Sequence, residues 1–231
     1  MLAEGADILD IGGESTRPGA QPVCVEEEMA RVLPVVRALA AEGAVISLDT
    51  RNAATMAAGL DGGARIINDI SALTHDPAAL PLVAARRCPV ILMHMRGTPA
   101  TMSDHAIYVD LEAEIEAELI RLCSAAQMAG VEPQNICLDP GFGFAKQGVQ
   151  NIRLLQGISR LTRLGYPVLV ALSRKRFLGD MSAEQVPARR DPESLAAGLY
   201  AATQGAHILR VHDVAGTVRA LRVWQRLTEE T

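Results

Sequence analysis

An α/β fold built on a parallel sheet is predicted, closed as a (β/α)8 TIM-type barrel with seven of its eight strands visible. Three observations predict it. Short apolar runs recur along the 231 residues, spaced about 33 residues apart, the size of one βα unit. The runs are continuous rather than alternating, as in strands covered on both faces. Nearly every run also ends in a side chain suited to chemistry: Thr16, Asp49, Asn68, His94, Asp139, Lys175, and Arg210 with His212. An open doubly wound sheet concentrates such groups at one switch point, whereas a barrel gathers all strand ends at one mouth.

The elements follow in order. Residues 1–6 read as the tail of a helix running straight into a first strand at 6–11. An Ala/Glu/Arg-rich stretch with helical spacing covers 26–41 and stops before Gly43, followed by a strand at 45–49. A helix at 52–61 ends near Gly63, and a strand occupies 65–68. The pattern repeats with a helix at 77–86 and a strand at 90–94, then a helix at 110–129 before Gly130 and a strand at 136–139. A helix at 150–163 ends before Gly165, with a strand at 168–172, and a helix at 193–204 ends before Gly205, with a strand at 207–211. A last helix spans 214–228. Each strand feeds a right-handed crossover. No linker, low-complexity tract or composition shift divides the chain, so 1–231 is expected to be one domain. Because the sequence opens in a helix tail, an upstream strand and most of its helix are expected to be absent. The strands flanking that gap would then lack partners, an aggregation-prone arrangement that predicts poor solubility or no turnover until the strand is restored.

Composition narrows the function. The net charge of −5 and 3% aromatic content argue against a general nucleic-acid binder or a stacking platform for single strands. The longest apolar runs, such as 90–93 and 168–172, are far too short to span a bilayer, and no secretory signal opens the sequence. Cys24, Cys88, Cys123 and Cys137 show no CxxC pair or metal-ligand spacing and read as reduced, mostly buried thiols of a cytoplasmic protein. Of the 22 basic residues only Lys146 and Lys175 are lysine, which points to places where a compact ammonium is needed.

Several constellations carry candidate chemistry. The loop at 12–20 joins two glycines to Ser15, Thr16 and Arg17, donors suited to phosphate or carboxylate; it also reads as an ordinary glycine-rich turn. Asp49, Asn68 and Asp139 follow apolar strands, where they would match a polar heterocycle edge, bind a divalent cation, or simply cap loops. Phe142 and Phe144 either flank a flat ring or pack against a neighbouring loop. The cations of 173–176 directly follow a strand, which favours an anion or substrate contact over a solvated loop. Arg210 and His212, two apart, share one strand face and fit a phosphate, with a pairing to Asp213 as the alternative. His94 reads as a satisfied histidine at the end of a core strand, and His75 and His105 as solvated. No Ser/His/Asp order or zinc signature is present.

Together the segments 10–19 (DIGGESTRPG), 47–50 (SLDT), 66–70 (IINDI), 92–99 (LMHMRGTP), 138–144 (LDPGFGF), 173–175 (SRK) and 210–213 (RVHD) resemble the dihydropteroate synthase family, over essentially the whole chain. The resemblance implies a dimeric (β/α)8 barrel. It implies condensation of 6-hydroxymethyl-7,8-dihydropterin pyrophosphate with 4-aminobenzoate, with Mg²⁺, to give 7,8-dihydropteroate and pyrophosphate. Asp49, Asn68, Asp139 and Lys175 resemble the pterin-ring contacts, and Met93 and Phe144 belong to the same substrate site. Arg210 resembles the residue covering the ring and touching the pyrophosphate, with His212 on the pyrophosphate; Lys175, Arg210 and His212 are the expected catalytic set. Thr16, Arg17 and Pro18 resemble a mobile loop on the aminobenzoate side, and Ser173 a carboxylate contact. The implied reaction is dissociative, with pyrophosphate leaving before the aniline nitrogen attacks, so it needs no strong base. The family's first-strand loop, which supplies an asparagine for the metal, has no counterpart here. Arg176 stands where Ser is common, and Ala145 and Ala171 where Gly is common. A methyltetrahydrofolate methyltransferase-type barrel and a non-catalytic pterin-binding homologue are the alternatives.

Overall fold

The computed structural model describes residues 1–17 and 20–228. Five four-residue strands, β1 (Leu9–Gly12), β2 (Ile46–Asp49), β3 (Ile66–Asp69), β4 (Val90–Met93) and β5 (Ile136–Asp139), form one parallel sheet in chain order. β6 (Leu169–Val170) and β7 (Ile208–Leu209) form a second parallel ladder, joined to β5 by a single bridge between Leu138 and Val168. The seven strands therefore follow one another in sequence order, without the order reversal of a doubly wound sheet. Among the described residues no ladder joins β7 to β1. Side chains nevertheless meet across that seam, where Arg210, just past β7, reaches Asp10 of β1.

Register brings the functional ends level. Gly12 pairs with Asp49, Asp49 with Asn68, and Met93 with Asp139. The apolar residues behind these ends make the core: Ile46, Leu48, Ile67, Val90, Leu92, Ile136 and Leu138 are all buried. Helices cover the outside: α1 (Val25–Ala41), α2 (Ala53–Asp61), α3 (Ala79–Arg86) and α4 (Leu111–Met128), then α5 (Gly148–Gln156), α6 (Ile158–Thr162), α7 (Arg176–Ser182), α8 (Asp191–Thr203) and α9 (Val214–Thr228). α4 shows why they form. The Asp110 carboxylate caps its first turn by accepting from the Ala113 N–H at 3.1 Å, and Leu111, Ile115, Leu119, Cys123 and Ala126 recur at helical spacing as its buried face. α2 approaches β2 so closely that a Cβ on Gly59 would stand 2.2 Å from Leu48 Cδ2.

Several boundaries differ from the sequence expectation. The single helix expected at 150–163 divides at Gly157 into α5 and α6, as a glycine with no helical stabilisation of its own allows. The short α7 has no counterpart among the expected helices; its buried Phe177 and Leu178 hold it in place despite the charges around them. The first strand begins at Leu9 rather than at 6, and the strands expected at 168–172 and 207–211 shrink to two residues each. β7 has a ladder partner on one side only, so fewer of its residues are fixed by cross-strand bonds.

Candidate active site

A cavity of about 2040 Å³ opens at the C-terminal ends of the strands and continues between β7 and β1. Thr16, Arg17, Asp49, Phe144, Ser173, Lys175, Arg210 and His212 line it. Asn68, Met93 and Asp139 stand at the same strand ends, each no more than 5% exposed. The structure thus brings the expected residues to one mouth. Pro18 lies outside the described residues.

Arg210 organises one side. Its Nε donates to Asp10 Oδ2 at 2.6 Å, and a terminal nitrogen reaches Asp49 Oδ2 at 3.2 Å. The Asn68 amide also donates to both Asp10 oxygens, at 3.3 and 3.2 Å. Asp10 is therefore the shared acceptor of this cluster, and sequence reading passed over it. The signal was its position two residues before Gly12, on the strand face that turns inward with a period of two. Burial first, then the neighbouring Asp10 carboxylate, pushes Asp49 up to about 8 against the pull of Arg210. Asp49 therefore takes up a proton more readily than an ordinary carboxylate. Burial opposes the charge on Arg210, but Asp10 and Asp49 outweigh it and keep the guanidinium firmly protonated.

Asp139 and Lys175 form the other side. Burial raises Asp139 while Lys175 pulls it back, and its Oδ1 accepts from the Gly141 N–H at 2.7 Å. Burial brings Lys175 down to about 8, opposed by Asp139. The Lys175 ammonium donates to the Phe142 carbonyl and lies 5.0 Å from the Phe144 ring centroid. The two phenylalanines part company here. Phe142 is fully buried and stacks on Phe177 with centroids 6.2 Å apart, whereas Phe144 is half-buried beside the Lys175 ammonium; both border the cavity. Ser173 Oγ lies 2.9 Å from His212 Nδ1 and also accepts from the His212 N–H at 3.2 Å. Burial, followed by Arg174 and Arg210, lowers His212 below the ordinary imidazole value.

Beneath this face lies a second cluster. The Lys146 ammonium, 7% exposed, donates to His94 Nδ1 at 2.9 Å, to the Gly141 carbonyl at 3.1 Å and to the Phe144 carbonyl at 2.9 Å. His94 Nε2 meets Glu118 Oε2 at 2.9 Å, and Arg96 bonds to the same carboxylate. Burial drives His94 down to about 4, so the neutral ring donates from Nε2 and accepts at Nδ1. The expectation of a satisfied core histidine holds, and His75 and His105 are exposed as expected.

Other expectations need correction. The three cations at 174–176 all border the cavity but differ in their partners: Arg174 is held by Asp191 at 2.6 and 2.8 Å, Arg176 is 90% exposed beside Asp180, and Lys175 bonds to the Phe142 carbonyl. Asp213 does not pair with Arg210; it caps α9 by accepting from the Gly216 N–H at 2.9 Å. The cysteines form no disulfide among the described residues, but Cys24 is exposed and Cys137 only partly covered. No three His, Cys, Asp or Glu side chains among the described residues stand together as a cation cage, and both Asp10 and Asp49 are engaged by Arg210. These residues do not make a complete magnesium site.

Comparison with known proteins extends the picture. Residues 1–212 match the family described as pterin binding enzyme. The chain is 45% identical to the dihydropteroate synthase of Escherichia coli K12 over 224 residues, covering 96% of this chain and 79% of that protein. It is also similar to the Xanthomonas albilineans dihydropteroate synthase solved with 4-aminobenzoic acid, at a TM-score of 0.95 and 48% identity, covering 100% of this chain and 82% of that one. The Thermus thermophilus dihydropteroate synthase solved with 6HMPPP matches at a TM-score of 0.89 and 42% identity, covering 99% and 86%.

Proposed function

The chain belongs to the dihydropteroate synthase family of pterin-binding enzymes, and from that premise we propose how its own residues carry the reaction. The reaction is a transfer: the pterin methylene leaves pyrophosphate and bonds to the amino nitrogen of 4-aminobenzoate, giving 7,8-dihydropteroate. Asp49, Asn68 and Asp139 bind the pterin edge, whose alternating donors and acceptors need both an amide and a carboxyl that can hold a proton. Leaving such a group unmatched costs about 1–3 kcal/mol, which gives the pocket its selectivity. Met93 and Phe144 supply apolar contact to the ring.

The observation that carries this reading is the Arg210 guanidinium, held over the cavity by Asp10 and Asp49 yet still 47% exposed. An incoming pterin pyrophosphate can accept from the exposed face while Asp10 keeps the fork oriented. As the C–O bond to pyrophosphate breaks, the electron pair goes to the leaving oxygen, where Arg210 and His212 stabilise the growing charge. The aniline nitrogen then forms the C–N bond and loses its proton. Ser173 binds the aminobenzoate carboxylate, and Thr16 and Arg17 close over that side and exclude water. The family resemblance implies Mg²⁺, which would neutralise charge on the pyrophosphate when bound.

The architecture extends in the same way. An eighth strand seated between β7 and β1 would complete a (β/α)8 barrel in a single domain, supported by the strand order and by the cavity opening along that seam. The resemblance also carries a cytoplasmic homodimer. No described helix is long and apolar enough to cross a membrane.

Release of pyrophosphate that requires both substrates tests the function, measured on this chain and on one carrying a relative's first strand. Lys175→Ala and Arg210→Ala are each expected to lower turnover by about 10²-fold or more. Wild-type rates in either variant would refute its assigned role.

A further inference from the structure

The loop from Asp139 to Lys146 has an unusual set of bonds. Its Phe142 carbonyl accepts from Lys175, its Gly141 and Phe144 carbonyls from Lys146, its Ala145 carbonyl from Tyr108 and its Lys146 carbonyl from Asn151. Both lysines of the chain thus act on one loop, Lys175 from the cavity side and Lys146 from the core side. The three protons of the Lys146 ammonium face His94 Nδ1 and the two carbonyls, with the His94 carbonyl a longer fourth acceptor at 3.5 Å. A neutral amine would leave one acceptor without a proton. Its lone pair would then face one of these acceptors, His94 Nδ1 among them because Glu118 holds the His94 proton on Nε2.

We infer that Lys146 is a positioning residue for pterin binding, fastening the 139–146 loop to His94 so that Asp139 and the lysine-binding Phe142 carbonyl are set for substrate. Two further contacts show why the loop cannot find this shape unaided. Gly141 has φ 70, and a Cβ there would stand 2.0 Å from the His94 carbonyl, so the loop lies directly on the end of β4. Gly143 N–H and the Lys146 carbonyl are gathered by one buried side chain, Asn151, which fixes the middle and far end of the loop but makes no bond to the neighbouring strand. Lys146 is the tie between the loop's beginning, its middle and the neighbouring strand. Burial draws Lys146 down to about 7, with Asp139 opposing and Lys175 and Arg96 assisting. The charged groups facing it, Asp139, Glu118, Lys175 and Arg96, therefore decide how fully the tie is formed.

The inference rests on the pterin-binding reading of the site, and its test separates the two. Binding of 6-hydroxymethyl-7,8-dihydropterin pyrophosphate is measured by calorimetry, together with KM for each substrate, in Lys146→Met, His94→Leu and His94→Asn. Lys146→Met and His94→Leu are expected to weaken pterin pyrophosphate binding by about tenfold or more. KM for 4-aminobenzoate at saturating pterin should move less than about twofold. His94→Asn keeps an acceptor near the Nδ1 position and should bind within about threefold of wild type. Should Lys146→Met not fold, the His94 pair decides. Folded variants with wild-type pterin affinity, or a proportional rise in both KM values, would overturn the role of Lys146. A wild-type chain that binds no pterin pyrophosphate would overturn the site reading itself, and this inference with it.

Discussion

The arc β1–β5 and the ladder β6–β7 are built from the same βα pattern but are held differently. Within the arc, β2, β3 and β4 each have a strand on both sides, and Leu48, Ile67 and Leu92 at their centres are almost wholly buried. β6 and β7 contribute two residues each, and Ile208 and Leu209 keep partial exposure. The division runs through the site. Asp49, Asn68 and Asp139, proposed above to meet the flat pterin edge, stand on the arc, while Arg210, His212, Ser173 and Lys175 follow the ladder. On the proposed roles, the arc carries three of the groups for the pterin edge, while Arg210 and His212, the groups for the departing pyrophosphate, follow the more weakly paired ladder.

Amide hydrogen exchange tests this contrast most directly. Backbone amides of β2–β4 should open only with global unfolding, whereas those of β6 and β7 should exchange through local opening, about 10²- to 10³-fold faster. Equal protection in the two regions would break the comparison. If pterin pyrophosphate then slows exchange in β7 more than in β3, Arg210 and His212 are the groups being recruited on binding.

The arc was also the more legible region. Its strands could be read because each is a run of buried aliphatic residues ending in one polar group, and that register is what lines up Asp49, Asn68 and Asp139. The ladder was overestimated at 168–172 and 207–211, because an apolar run shows a residue's preference for burial but not whether a partner strand is present. Asp10 was missed although it lies in the recognised 10–19 segment, since attention went to the loop donors after the strand rather than to a carboxylate within it. Lys146 gave only its rarity as a signal. Its partner His94 is 52 residues away, and no local pattern reports a bond of that separation. The division of the cations at 174–176 was equally hidden, because Asp191 claims Arg174 from the start of α8.

A pH series asks whether the arc depends on the polar network beneath it. Burial lowers His94 from 6.5 to about 4, so the folded protein binds fewer protons than the unfolded chain between those values. The associated stability is complete above about pH 6.5 and declines as pH falls toward 4, by on the order of 3 kcal/mol. Glu118, drawn down to about 2 chiefly by its bond to His94, adds a loss in the same direction below its ordinary range. Asp49, raised to about 8, gains stability as pH falls and opposes this loss in the total, so the network is read as a difference: the urea midpoint of wild type minus that of His94→Asn should shrink from pH 7.5 through 6 and 5 to 4. A difference that stays constant over that range would show that the arc stands without this network.

The smallest expected effect sharpens the same comparison at a single backbone position. Ala145 lies at φ 49, in the left-handed region, with its side chain buried and its carbonyl accepting from Tyr108 at 3.0 Å. Ala145→Gly removes a steric penalty of about 1–2 kcal/mol. It also adds about 0.5–1 kcal/mol of unfolded-state entropy and gives up roughly 0.8 kcal/mol of methyl burial. These contributions nearly cancel, so the urea midpoint should correspond to a change below about 1 kcal/mol, with pterin affinity unaltered. A large loss would mean that the Ala145 methyl itself braces the loop against its neighbours. A large gain would mean that the loop is strained at this residue and that Lys146 and Tyr108 hold it against that strain. A near-zero result leaves the side-chain bonds to the loop carbonyls as what sets its shape.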